Sequence, residues 1–196
     1  MPGKQAKVLT PGELRRLLNA TRQSRSPTRD RVVVLLAMRA GLRAAEIAGL
    51  TWSMVLGADG RLGSMIEVRG AIAKRGMGRR VPMHPEVRRA LAALRDDLPA
   101  DAIPPDAPVI GSTRGGALRP NSIVNWFIAK SRSAGLVGCS SHSGRRTFIT
   151  KAARAAHRAG ASLRDVQMLA GHRSIETTQG YIDGDSDAQR RLVSLI

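Results

Sequence analysis

Cysteine, aromatic residues and acidic charge are all scarce in this 196-residue chain. Its one cysteine, Cys139, cannot close an intramolecular disulfide, which excludes a stapled secreted scaffold. There is no run of the ~18 apolar residues that a membrane helix needs. The first residues, Met1 to Lys7, hold no apolar stretch that could serve as a signal peptide. Together these absences predict a cytoplasmic protein with no membrane partner. Aromatics make up 3% of the chain: two Trp, two Phe and a single Tyr, Tyr181. That is too few for a series of base-stacking platforms, so binding to single strands by stacking is disfavoured. Acidic residues number 15 against 32 Lys and Arg, a formal net charge of +17. The partner such a charge calls for is a polyanion, and the phosphate backbone of double-stranded DNA fits it best.

An apolar share of 42% is ample for one folded domain of this length. The cations are lopsided, with 27 Arg and 5 Lys. Arginine grips phosphate through a planar fork but is a poor proton donor, so Lys74, the only lysine between Lys7 and Lys130, stands out. GC-rich coding would also produce an arginine bias.

Thr10-Pro11-Gly12-Glu13 reads as a capping box with proline at the first helical position, followed by a Leu14, Leu17, Leu18 stripe. A second helix starts at Thr28–Asp30; it is apolar nearly all round from Val32 to Met38, hence central to the core, and Gly41 is placed to end it. A short helix over 44–50 follows. Thr51 to Leu56, Ser64 to Arg69 and Arg79 to Met83 predict a small three-stranded antiparallel sheet, with Gly76-Met77-Gly78 as a hairpin turn. Further helices are expected over 85–98, 120–134, 143–159, 163–170 and 175–181. An amphipathic segment over 189–196 ends the chain. The fold class is mainly α with that small sheet.

Four histidines, His84, His142, His157 and His172, form no metal-ligand spacing, and no glycine-rich phosphate loop is present. His84 and His157 read as surface or helix-cap residues, and Cys139 as a small buried residue. His142 and Arg145 lie three apart at a helix start, where free N–H groups favour an anion. Such a pair also occurs as a plain exposed basic turn. Arg43 sits near another helix start, where the dipole disfavours a cation, and Glu46 one turn on can hold it. An ordinary surface pair would look the same. His172 and Tyr181 are nine residues apart, and a lone tyrosine is more often simply packed.

Taken together, GLRAAEIAGL (41–50), AKRGMGRRVPM (73–83), HSGRRTFIT (142–150) and LAGHRSIETTQGYID (169–183) resemble the tyrosine recombinases, or phage-type integrases. The resemblance fills all six catalytic positions: Arg43, Lys74, His142, Arg145, His172 and Tyr181. It implies the DNA breaking-rejoining catalytic fold and a bacterial or phage, nucleoid-associated setting. Tyr181 would attack a DNA phosphodiester to give a 3′-phosphotyrosyl intermediate and a free 5′-hydroxyl. Arg43 and Arg145 would clamp the non-bridging oxygens, His172 would add a hydrogen bond and His142 would take the tyrosine proton. Lys74 would protonate the leaving 5′-oxygen, and Glu46 would orient Arg43. No metal, ATP or other cofactor is implied. The implied partners are duplex DNA, a homo-tetramer on two duplexes and an accessory DNA-binding protein.

Two departures concern packing: Gly144 stands where a leucine is usual, which predicts looser packing at Arg145, and Ala170 replaces another leucine. The third is length. About 40 residues precede Arg43, so 1–196 reads as a single catalytic domain with no N-terminal core-binding domain. The chain looks like the short, catalytic-domain-only members such as the fimbrial-type recombinases, and a truncated or degenerate copy is the other reading. The tail, about 185–196, is expected either to be exchanged between protomers through Leu192, Val193, Leu195 and Ile196 or to pack on its own core. Three rivals remain: a non-catalytic DNA-binding regulator that kept the fold, a type IB-like topoisomerase and a structural nucleoid protein.

Overall fold

The computed structural model describes residues 6–98, 103–181 and 193–194. Its elements run α1 (Pro11–Thr21), α2 (Pro27–Arg39), α3 (Ala44–Gly49), β1 (Met65–Val68), β2 (Arg79–Pro82), α4 (Pro85–Asp96), α5 (Pro120–Ser133), α6 (Ser141–Ala156), α7 (Leu163–Ala170) and α8 (Ile175–Gln179). Single 3₁₀ turns at Trp52–Met54, Lys74–Gly76 and His157–Ala159 lie between them.

The centre is α2. Every side chain from Val32 to Met38 is buried, which an α-helix achieves only when neighbours surround it; α1, α4 and α6 pack against it. α1 begins as its sequence predicts, with Thr10 accepting from the Glu13 N–H and the Glu13 side chain reaching back to Thr10. Gly41, at φ 64°, turns the chain out of α2 and straight into α3. A Cβ there would lie 2.4 Å from the Phe148 ring, so glycine serves both the turn and the contact with α6.

Among the described residues the sheet has two antiparallel strands, not three, in the register Met65↔Pro82 through Val68↔Arg79. Residues 51–56 do not join it because their backbone partners lie elsewhere. Trp52 donates to the Ala107 carbonyl and Ser53 to that of Pro105, while Val109 donates to Leu50. Trp52, fully buried, winds this segment into a 3₁₀ turn. The strands are joined not by a tight turn at 76–78 but by the whole stretch 69–78, which carries Lys74.

Gly144 reverses the packing expectation. A Cβ on it would lie 2.7 Å from the Ala37 Cβ, so the missing side chain lets α6 approach α2 more closely, and packing beside Arg145 is tight rather than loose. α6 also starts two residues earlier than expected, with Ser140 and Ser143 forming its capping box.

Candidate active site

A cleft of about 1170 Å³ opens between α3, the 69–78 connection, the N-termini of α5 and α6, and the α7–α8 end of the molecule. Arg43, Lys74, His142, Arg145, His172 and Tyr181 all line it. The six residues singled out in the sequence therefore converge on one site, though they are spread over nearly 140 positions of chain.

Arg145, on the first turns of α6, is 4% exposed. Its Nη1 donates to the Gly41 carbonyl at 2.7 Å and its Nη2 to the Ala170 carbonyl at 2.5 Å. These bonds fix the plane of the fork before any ligand arrives. Burial, followed by the charges of Arg43 and Arg79, lowers its pKa to about 10, so it stays charged at neutral pH.

Arg43 caps α3, half-exposed to the cleft. Its backbone N–H and its Nη1 both donate to Glu46, at 2.9 Å each. The Glu46 side chain is fully buried. Burial pushes its pKa up, but the hydrogen bonds and charge of Arg79, then those of Arg43, prevail and hold it near 2. Arg79 was not singled out in the sequence, yet it gives Glu46 a bidentate pair, Nη1 to Oε1 and Nη2 to Oε2 at 2.8 Å each.

His172 follows Gly171, whose φ of 61° ends α7 in a left-handed turn. Its ring Nδ1 lies 2.9 Å from the Thr178 hydroxyl, and its carbonyl accepts from Gln167. Burial, then the charges of Arg145, Arg43 and Arg79, lowers its pKa to about 4, so the ring is neutral at pH 7. The Tyr181 ring stacks on it with centroids 5.3 Å apart, and the Arg146 guanidinium carbon lies 5.8 Å from the tyrosine's ring centre. The nucleophile candidate thus contacts an imidazole and a cation. Thr150 donates to the Tyr181 carbonyl at 3.2 Å.

His142 and Lys74 are the exposed members, on α6's first turn and the 69–78 connection. The other histidines stay outside the site: His84 caps α4, accepting from the Glu86 N–H, and His157 sits exposed in a 3₁₀ turn. Cys139 is half-buried, and burial raises the pKa of its thiol.

Residues 7–187 match the phage integrase family. The chain belongs to that family. Among relatives of this integrase-family chain, tyrosine recombinase XerC of Myxococcus xanthus is 34% identical over 161 residues, covering 78% of the chain and 49% of the relative. XerC of Rhizobium meliloti (strain 1021) is 32% identical over 191 residues, covering 94% of the chain and 56% of the relative. The chain thus spans about half the length of the curated relatives it matches. Among solved structures, the XerA recombinase superposes with a TM-score of 0.73 at 26% identity, covering all of this chain and 65% of that one. The Tn1549 transposon integrase in complex with circular intermediate DNA shares the fold at a TM-score of 0.75 and 19% identity, over 100% of this chain and 69% of that one. The mainly helical architecture with its small sheet is the integrase catalytic fold.

Proposed function

We propose that this chain performs site-specific DNA recombination as a tyrosine-type strand transferase. The observation that carries the reading is the convergence of Arg43, Arg145, His172 and Tyr181 on one cationic cleft, with His142 and Lys74 at its edge. The phenol oxygen of Tyr181 attacks a DNA phosphorus. The O–P bond forms on the 3′ side as the bond to the 5′-oxygen breaks, and His142, exposed beside the cleft, takes the phenolic proton.

Arg43 and Arg145 bind the non-bridging oxygens and stabilise the charge that builds on the five-coordinate phosphorus. In the neutral tautomer that accepts from the Thr178 hydroxyl at Nδ1, His172 carries its proton on Nε2 and donates it to a phosphate oxygen. Lys74 protonates the departing 5′-oxygen. Glu46 orients Arg43. The covalent phosphotyrosine conserves the bond energy, so rejoining to a new strand needs no ATP, and the arginines do the electrostatic work without a metal. Exchange between duplexes implies a homo-tetramer on two duplexes, and an accessory DNA-binding protein would help select the site. The reading is supported by XerH, a likeness at 20% identity and a TM-score of 0.74, whose structure is a post-cleavage complex bound to palindromic difH substrate.

The test is covalent trapping. Nicked duplexes carrying candidate sites are incubated with the protein in EDTA and resolved on a denaturing gel. A DNA–protein adduct is expected, and Tyr181→Phe should abolish it, because Tyr181 is the only tyrosine in the chain. Absence of an adduct on every duplex, the flanking genomic DNA included, would assign the fold to binding alone. Relaxation of a supercoiled plasmid by the same protein without exchange of partners would assign it to a topoisomerase.

A further inference from the structure

Arg79 has the geometry of a residue that works through others. Its side chain is 6% exposed. Its Nε donates to the Leu169 carbonyl at 2.9 Å, and its two Nη atoms donate to the two oxygens of Glu46. Those bonds join three separate parts of the site. β2, which carries Arg79, is the strand that closes the 69–78 connection bearing Lys74. Glu46 is the carboxylate that holds Arg43. Leu169 is on the last turn of α7, three residues before His172. The contact with α7 is close: a Cβ on Gly171 would lie 2.9 Å from the Arg79 Cδ, so the side chain fills the place that a larger residue at 171 would need.

The charges point the same way. A buried Glu46 paired with Arg43 alone would cancel the charge that Arg43 brings to the cleft. Glu46 instead shares its negative charge between two guanidinium groups, so Arg43, Arg79 and Glu46 together carry one net positive charge in a desolvated setting. Arg145 adds a second. Arg79 directs its hydrogen bonds to Leu169 and Glu46 into the protein, so it is a supporting group for the cleft and not one of its phosphate ligands.

We propose that Arg79 is a positioning residue for strand cleavage, clasping the Lys74-bearing connection, the Glu46–Arg43 pair and the α7 end that presents His172 into one rigid unit. The cleavage role rests on the recombinase reading above; the clasp itself does not. Two measurements on Arg79→Gln and Arg79→Lys test it.

The first is hydrogen exchange of the free protein. Arg79→Gln should accelerate exchange in residues 69–78 and 169–173 together, at least tenfold, while α1 and α4 keep their protection; Arg79→Lys should fall between it and the unmodified protein. Acceleration in only one of the two segments, or in neither, overturns the clasp. So does uniform acceleration in Arg79→Lys, which would make the residue a general stabiliser.

The second is single-turnover adduct formation. Arg79→Gln should slow it at least 100-fold on an ordinary nicked duplex. On a duplex whose 5′-bridging oxygen is replaced by sulfur, a leaving group that departs without a proton, at least tenfold of that loss should be recovered, because Lys74 is no longer needed. Equal loss on both duplexes overturns the coupling to Lys74. If the unmodified protein forms no adduct at all, the recombinase reading fails, and the exchange measurement still decides the clasp.

Discussion

At the scale of single residues, the site owes its properties to cations that burial and mutual repulsion keep under tension with one carboxylate. His172 registers that tension. Its folded pKa, about 4, lies below the usual 6.5. Between those values the unfolded chain binds the proton that the folded protein refuses, so stability is whole above pH 6.5 and is lost as the pH falls toward 4. Glu46, held near 2 against a usual 4.5, contributes stability that is whole above pH 4.5 and is lost only on further acidification toward 2. The thermal midpoint should therefore fall in two stages on acidification. His172→Gln should remove most of the upper stage and leave the lower one; His84, also held below its usual value by burial, keeps a smaller share of the upper stage in that variant. Calorimetry from about pH 2 to about pH 7.5, which encloses both windows, checks both stages. The six candidate catalytic residues on the cleft were legible in the sequence, because each carries chemistry and sits in a motif. Arg79 was not, since nothing in the pair Arg79-Arg80 says which of the two turns inward. The two-residue strand period held the answer: Arg79 shares a face with Val81, which is buried, whereas Arg80 points out and lies 3.5 Å from Glu67 on the surface.

Helices meet at this site through glycine. α6 can bring Arg145 to the Gly41 carbonyl only because Gly144 lies directly against Ala37 of α2. Gly144→Ala should overpack that crossing and cost about 1–3 kcal/mol of stability. Ala37→Gly alone should also destabilise, by about 1 kcal/mol through lost helix propensity. Combined, the two should be less damaging than their sum by about 1 kcal/mol or more, since the second makes room for the first; denaturant titration of the four proteins gives the coupling, and strict additivity would dissociate the two positions. The sequence pattern identified Gly144 as unusual but could not tell a gap from a close approach, which depends on what faces it across 107 positions of chain. Helix starts were legible for a local reason: Thr10, Ser140 and Ser162 satisfy their own helices' free N–H groups within three residues. The third strand was misread for the opposite reason, because the partners of residues 51–53 lie more than 50 positions away at 105–108. Of the amphipathic tail over 189–196, all but residues 193 and 194 lies outside the described residues.

Over the whole molecule, a net charge of +17 far exceeds what one phosphate clamp uses. The surplus would grip the duplex backbone, and that grip releases counterions. Affinity for a 20–30 bp duplex, about two to three turns of helix, should drop roughly 10³-fold or more between 50 and 200 mM salt. Fluorescence anisotropy at several salt concentrations measures the slope, and an affinity flat across that range would deny the charge its role as backbone grip. The interior is divided too. The main core runs from Leu9 to Leu136, whereas Ile149, Ala156, Val166 and Ala170 make a second, much smaller one, and Tyr181 packs on the smaller. A tyrosine seated on four buried residues should answer to a local opening equilibrium before the unfolding of the domain. Opening of the α8–Tyr181 segment alone would withdraw the phenol while Arg79 holds the α7 end and the Ala170 and Gly41 carbonyls hold Arg145, so that the phosphate clamp would stand assembled at times when the group that cuts is away.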